Sequence, residues 1–582
     1  MSSDTQASPA VRWAGSGRLA QLLRHEWTVA VLTALAISLV LNRGALADPA
    51  HTLPQDVWDP SLVSYLIAWD GYALLHHPLS LWQLNAFYPS PYGLAYTDSL
   101  LGYAPFSLFG TGPEVAVLRY NLLFILAEAL VMVGMYALTR QLGIGRLGAA
   151  VAAIAVAVAP WRLAQAGHLQ ILSTGGMTLA LAMLARGHGV RWHRDPDQPA
   201  EPWRPGWIVA GWLVATWQVT IGFGVGLPFV YVLLGTVLVG AGVWAYRRRP
   251  WPSRRYLVLD GAGGLIFGAT ALLLALPYLK VLDLYPYARR DAGWVVLYSP
   301  PVSGLLTAPA ESVVWGDAHV AARAQLSVPG EMALLPGFAL YALAVAGVFF
   351  SVWPLLVRLW LAGGAVATLV FSLGTNGPLD GHLGYLLLLN LPGFEGLRTP
   401  GRMMLWATLL LALLAAGTVG AAVELARDTI RRRGRARLPA WAGAALLVPL
   451  LLVFGEGLGT TPHAPVPPAP PTLSTVVPPY LVLPTDQVTD MHPMLWSTDR
   501  FADMVNGGSG LVPAEQDRAR RAAQSFPDAA SVNYLRGIGV KTVVVVRSRA
   551  GGTRWQQAET LPIDGLGITR EVRPDAVVFT LS

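Results

Sequence analysis

Residues 225–280 read VGLPFVYVLLGTVLVGAGVWAYRRRPWPSRRYLVLDGAGGLIFGATALLLALPYLK. Two apolar runs, 225–246 and 257–280, flank a knot of five arginines: Arg247, Arg248, Arg249, Arg254 and Arg255. A helix of roughly 20 apolar residues is what the ~30 Å hydrocarbon core of a bilayer requires. The stretch therefore predicts a helical hairpin in a membrane, with its turn held at one surface by positive charge.

The same pattern recurs on both sides of this hairpin. Apolar segments fall near 27–46, 115–138, 146–161, 169–186, 206–222, 225–246, 257–280, 332–353, 358–374, 402–424 and 440–458, eleven in all. Of the 41 Lys and Arg, 21 lie in six connecting stretches: Arg12 to Arg24, Arg140 to Arg146, Arg186 to Arg204, Arg247 to Arg255, Arg358, and Arg427 to Arg437. With an odd number of spans, all six stretches share one face. Basic loops mark the cytoplasmic side, so the N-terminus is expected in the cytoplasm of a multi-pass plasma-membrane protein and the C-terminal part outside. The run 27–46 is longer than a signal-peptide core and is expected to be a retained anchor.

Composition supports this class. The chain has 582 residues, 54% hydrophobic and 13% charged, against about 25% charged in soluble domains. The basic balance, with a pI near 9.6, falls between apolar spans, so membrane topology and anionic headgroups explain it and nucleic acid is not expected as a partner. The absence of cysteine excludes a disulfide framework, a thiolate metal site and a cysteine nucleophile. The expected fold is mainly α: a transmembrane helical bundle of about eleven spans with a small extracytoplasmic α/β domain. Residues 1–26 form the tail, 27–459 the bundle with a large first external loop at 47–114, 460–479 a Pro-rich linker, and 480–582 the α/β domain. In that domain Tyr480–Leu483, Thr542–Val546 and Ala576–Leu581 read as strands, and Ala529–Gly537 as a helix.

Three expected outward segments are too long for simple turns. In the first, Leu62, Tyr65, Leu66, Trp69, Tyr72 and Ala73 stand at helical spacing, the pattern of a helix lying in the interface with its apolar face in lipid. The second, 283–329, carries Arg289, Arg290, Asp291, Glu311, Asp317, His319 and Arg323. The third, 375–401, holds a short apolar stretch at 385–391, too short to span and able only to dip in and return.

The first loop also concentrates acids: Asp48, Asp56, Asp59, Asp70 and Asp98. A carboxylate at a membrane surface can serve as general base for a sugar or lipid hydroxyl. Asp59 precedes Pro60 at the start of the expected helix, where Asp is equally a good N-cap. Asp98 reads as a loop or cap residue by the same logic. No HExxH, Walker or GxGxxG pattern and no Cys/His cluster supplies a metal or nucleotide site.

The order of several short motifs adds a resemblance. Asp59-Pro60, Trp69, Ala73-Leu74, Phe87-Tyr88-Pro89, Leu94-Ala95 and Asp98 resemble the first external loop of bacterial GT-C-fold glycosyltransferases, polytopic enzymes that take sugars from polyprenyl-phosphate donors. Ala159-Pro160 with Gly167-His168-Leu169-Gln170, and Leu391-Pro392-Gly393-Phe394 with Leu397 to Arg402, continue it, as do Val505 to Gly510 and Phe526-Pro527. The resemblance spans roughly residues 27–550. It implies that Asp59 is the base, with Asp98 or Asp56 as a second acid. The donor phosphate would be met by Arg398, Arg402, Arg162 and His168. Asp56 and Asp59 stand three apart rather than adjacent, so no metal is assigned, a divalent ion being left open. No cofactor is expected beyond the lipid-linked sugar itself, and the acceptor is a glycan, glycolipid or protein. Two other readings remain: a transporter or flippase, for which Glu128 and Asp260 would be the intramembrane charges, and a non-catalytic scaffold for envelope assembly.

Overall fold

The computed structural model describes residues 24–194, 202–248, 252–433 and 439–581. The tail up to residue 23, together with Arg249, Arg435 and Arg437, lies outside the described residues. The first apolar segment forms α1 (Glu26–Leu41), and α2 (Asp59–His76) follows in the long loop after it. The next helices are α3 (Pro113–Leu142), α4 (Arg146–Ala157), α5 (Gly175–Gly187) and α6 (Pro205–Val219). They continue as α7 (Phe223–Tyr246), α8 (Arg254–Leu284), α9 (Phe338–Phe349), α10 (Leu355–Ser372), α11 (Met404–Arg432) and α12 (Ala440–Glu456). Among the described residues six helical stretches are long and apolar enough to cross a bilayer, those at 113–142, 169–187, 223–246, 254–284, 355–372 and 400–432.

The shorter helices depart from the expected bounds for local reasons. The chain cannot stay helical into Ala159-Pro160, because a residue before proline disfavours the α conformation, so α4 stops at Ala157. At 12 residues it covers about 18 Å, yet it is buried on nearly every side between α3, α11 and α12. Surrounded by protein, it has no bilayer thickness to match. The expected span at 332–353 shrinks to α9, because Gly337 takes a left-handed φ of 117° that ends the preceding extended segment. Glu456 then accepts from the amides of Phe338 (3.1 Å) and Ala339 (2.8 Å), supplying partners to the first turn of α9. The helix at 169–187 is broken at Ser173-Thr174, where Gln218 donates to the freed Ser173 carbonyl at 2.8 Å.

Helices α3 and α5 cross closely. A side chain at Gly134 would put its Cβ 2.4 Å from the Gly175 carbonyl, so a small residue is what lets the two backbones meet. By contrast, α7, α8 and α10 keep long apolar faces exposed, including Leu238, Val239, Leu265, Leu272, Leu273 and Val366. That is the surface lipid would cover.

At one end of the bundle the basic connections gather: Glu26 pairs with Arg140 (2.6 Å) and Arg146 (2.9 Å), and His193 with Glu424 (2.9 Å). The long loops and the C-terminal domain gather at the other. That domain has strands β3 (Tyr480–Leu483), β4 (Thr542–Val546), β5 (Ile568–Val572) and β6 (Ala576–Leu581), in the order β3-β4-β6-β5 with only β3 and β4 parallel. Helices α13 (Met491–Trp496), α14 (Ala514–Ala523) and α15 (Ala529–Gly537) complete it. The strand β5 went unread in the sequence because its Thr569-Arg570-Glu571 core lacks an apolar run.

Two features tie this domain to the first loop. The strands β1 (Thr52–Pro54) and β2 (His463–Pro465) form an antiparallel ribbon, so the Pro-rich segment is anchored rather than a free tether. Residues 85–88 also bond to 504–506: Met504 N to Asn85 O at 2.8 Å, Tyr88 N to Met504 O at 3.0 Å, and Phe87 N to Asn506 O at 3.1 Å. Helix α2 is therefore covered by protein. Leu62, Tyr65, Leu66, Ile67 and Trp69 are all at most 5% exposed, packed against α13, α3 and the turn at 101–107. The expectation that its apolar face lies in lipid is corrected: the C-terminal domain takes that place, and each buried aliphatic contributes about 2 kcal/mol.

Candidate active site

The site lies where α2 begins. Asp59 is the first helical residue, Trp58 holds the cap position, and no side-chain cap bond forms, so the N-cap role open to Asp59 in the sequence is not the one it takes. Its carboxylate instead lies 3.2 Å from His168 Nε2. Asp59 sits deep in the fold with 44% of its side chain accessible, the combination expected of a group lining a cleft. His168 stands in the turn after Pro160–Gln165, its amide bonded to the Gln165 carbonyl at 2.8 Å.

Arg402 comes from the 3₁₀ turn Pro400–Met403 that opens α11. It pairs with Glu331 at 2.7 Å, and Gln165 Nε2 supports Glu331 at 3.1 Å while also donating to the Gly330 carbonyl at 2.8 Å. Burial would raise the Glu331 carboxyl, but Arg402 and His168 outweigh it and hold it below the usual carboxylate range. The Asp59 carboxyl behaves the same way: burial pushes it up, then His168, Arg402 and Arg398 bring it below its ordinary value.

The other two acids differ. Asp98 accepts from the Gly224 amide at 2.8 Å, at the N-terminus of α7, where backbone donors and the helix dipole favour a carboxylate. A Cβ on Gly222 would come within 3.1 Å of that carboxylate, so a side chain there would crowd Asp98. Burial nevertheless leaves Asp98 above its ordinary value despite Gly224 and Arg402. Asp56 accepts from the Trp58 amide at 2.8 Å and is also raised, chiefly by burial. Asp59 is thus the acid in this group whose ionised form the surroundings favour.

Two guanidiniums near this group, Arg398 and its neighbour Arg290, have no carboxylate partner among the described residues. Arg398 lies 5.0 Å over the ring of Tyr298, and Arg290 lies 4.4 Å over Trp294 while donating to the Gly510 carbonyl at 3.0 Å. Trp294 and Tyr298 are one turn apart along the short helix Ala292–Leu297 and its end. Burial, then the neighbouring Arg398, lowers Arg290, which shows the two cations sharing one region.

Of the residues singled out from sequence, the structure brings together Asp59, Asp98, Asp56, His168, Arg398 and Arg402. Arg162 is placed elsewhere: it is buried, donates to the Leu172 carbonyl at 3.0 Å and faces Glu128. Burial, only partly opposed by Glu128, pushes it down to about 10. Sequence reasoning missed Glu331, Gln165 and the place of Arg290 in the group. No spacing marks them, because each lies on a separate connection that only the fold brings in. Among the described residues no cluster of three or more His, Asp or Glu side chains is arranged to hold a metal ion.

No family model matches this sequence, and no curated protein does. Solved structures do. The arabinofuranosyltransferase AftD from mycobacteria aligns over 95% of this chain with a TM-score of 0.54 and 15% identity. A mutant of the same enzyme gives 0.52 and 16% over 95% of this chain. ArnT from Cupriavidus metallidurans bound to undecaprenyl phosphate covers 95% of this chain and 98% of its own, at 16% identity and a TM-score of 0.47. This chain spans about 40% of the length of AftD. At this identity the likeness is one of fold: the bundle, the loop layer and the sheet domain follow the fold of AftD.

Proposed function

We propose that this protein transfers a sugar from a polyprenyl-phosphate-linked donor to a hydroxyl acceptor on the extracytoplasmic face, with Asp59 as the general base. The observation that carries the reading is a part-exposed carboxylate paired to His168 at 3.2 Å and held below its ordinary value by His168, Arg402 and Arg398. In the step, the acceptor oxygen bonds to the anomeric carbon as its proton passes to Asp59. The bond from the anomeric carbon to the phosphate oxygen breaks, and both its electrons leave with the lipid phosphate.

The leaving group changes from a diester with one negative charge to a monoester with two. Cations fixed beforehand at that oxygen stabilise the added charge. Arg398 and Arg290, stacked on aromatic rings and without carboxylate partners, can aim fork-shaped donors at a phosphate. Arg402, pinned by Glu331, adds a fixed charge. AftD is named an arabinofuranosyltransferase and ArnT is described with undecaprenyl phosphate; the donor class proposed here is of that kind. Glu128, the residue a transporter would need free in the membrane, is held by Ser38 and Asn42.

Asp59→Asn should leave an inserted, folded protein whose transfer is slower by about 10²–10⁴-fold, read as accumulation of the lipid-linked sugar in a host carrying only that variant. A pool equal to that of the unaltered protein would rule out Asp59 as the base.

A further inference from the structure

We propose that His492, in the C-terminal domain, is a positioning residue for Asp59, holding the turn that presents the carboxylate to the cleft. This rests on the reading of Asp59 as base. His492 is 4% exposed and its Nε2 lies 3.0 Å from the Val57 carbonyl. The imidazole stacks on the Trp58 ring, centroids 4.7 Å apart and planes at 25°. A carbonyl can only accept, so the ring proton on Nε2 is committed to this bond.

The grip acts on the two residues immediately before Asp59. The same Val57 carbonyl accepts from Ser61 Oγ at 2.6 Å, and the Trp58 amide donates to Asp56 at 2.8 Å. Asp59 is the first residue of α2 and meets His168 at 3.2 Å, so the backbone turn at 56–58 sets where its carboxylate starts and His168 where it ends. His492 itself is held rigidly. Two residues earlier, Asp490 accepts from Asn506 (2.8 Å), Thr485 (2.8 Å) and Arg520 (3.0 Å) in the interior of the domain. On the far side Arg549 lies 5.7 Å over the ring of Trp496, and Asp486 stands nearby. The His492 ring is where the domain bonds directly to the turn before Asp59, and a site that is loose by an ångström loses much of its rate.

His492→Phe keeps the stacking ring and removes the donor; His492→Gln removes the ring and keeps an N–H donor at comparable reach. In the full-length protein in nanodiscs without added ligand, the amides of Trp58 and Leu62 should exchange with deuterium at least about tenfold faster in His492→Phe. His492→Gln should return toward the unaltered rate, and the β3 and β4 amides should be unchanged in both. In cells, the lipid-linked sugar pool should rise in His492→Phe and fall back in His492→Gln. Unaltered exchange at Trp58 and Leu62 in His492→Phe would overturn the proposal, as would equal loss in the two variants. A normal sugar pool in Asp59→Asn would instead remove the base assignment and leave His492 a purely structural contact.

Discussion

Asp59 is an acid held low by the charges that would receive the phosphate. His168, Arg402 and Arg398 hold its carboxyl below the ordinary value, which makes it a weak proton acceptor. An anionic donor seated on those arginines would offset their field, so the carboxylate would gain basicity as the substrate arrives. Arg398 is the clearest test. Arg398→Lys keeps the charge but loses the planar fork and the stacking on Tyr298. Undecaprenyl phosphate titrated onto the purified variant should bind about tenfold more weakly, a difference of about 1.4 kcal/mol. At this scale residue type and motif order together picked out residues that the fold does gather, Asp59, His168, Arg398 and Arg402. It was silent on Glu331 and Arg290, whose roles depend on loops remote from one another, and it could not tell that Arg162 turns toward Glu128.

At the scale of helices, α2 shows why periodicity has a limit. Its apolar spacing says that something dry covers it, but lipid and protein look alike to such a pattern, and here α13 provides the cover. His492 gives that seam a pH dependence. Burial and then Arg549 lower it to about 4, against about 6.5 in an unfolded chain, with Asp486 the opposing charge. Between those values the unfolded chain binds the extra proton, so the stability contributed by neutral His492 is complete above about pH 6.5 and lost as pH falls toward 4. Thermal unfolding followed across this window should show a fall that His492→Gln flattens. The α3–α5 crossing makes a separate prediction. Gly134→Val should force the backbones apart and cost about 1–3 kcal/mol, read as a lower unfolding temperature in detergent with α2 still protected.

For the whole molecule, the bundle was legible because twenty-residue apolar runs broken by arginine have few other meanings. The bounds of its short members were not, since α4 stops before Pro160 and α9 begins only after Gly337, whatever the hydropathy. The sequence lacks cysteine, so the orientation can be measured without background. Arg431→Cys should resist a membrane-impermeant thiol reagent in intact cells and Arg518→Cys should react; the opposite result would invert the molecule.

The ribbon of β1 and β2 pairs Thr52 with Pro465. A ribosome therefore delivers the two halves roughly 400 residues apart, a delay of about 20–80 s at ordinary rates of synthesis. Throughout that interval the turn bearing Asp59 waits without β2, without His492 and without the 504–506 segment. The nascent chain is thus assembled around an unfinished turn, completed only by residues made about 400 positions later.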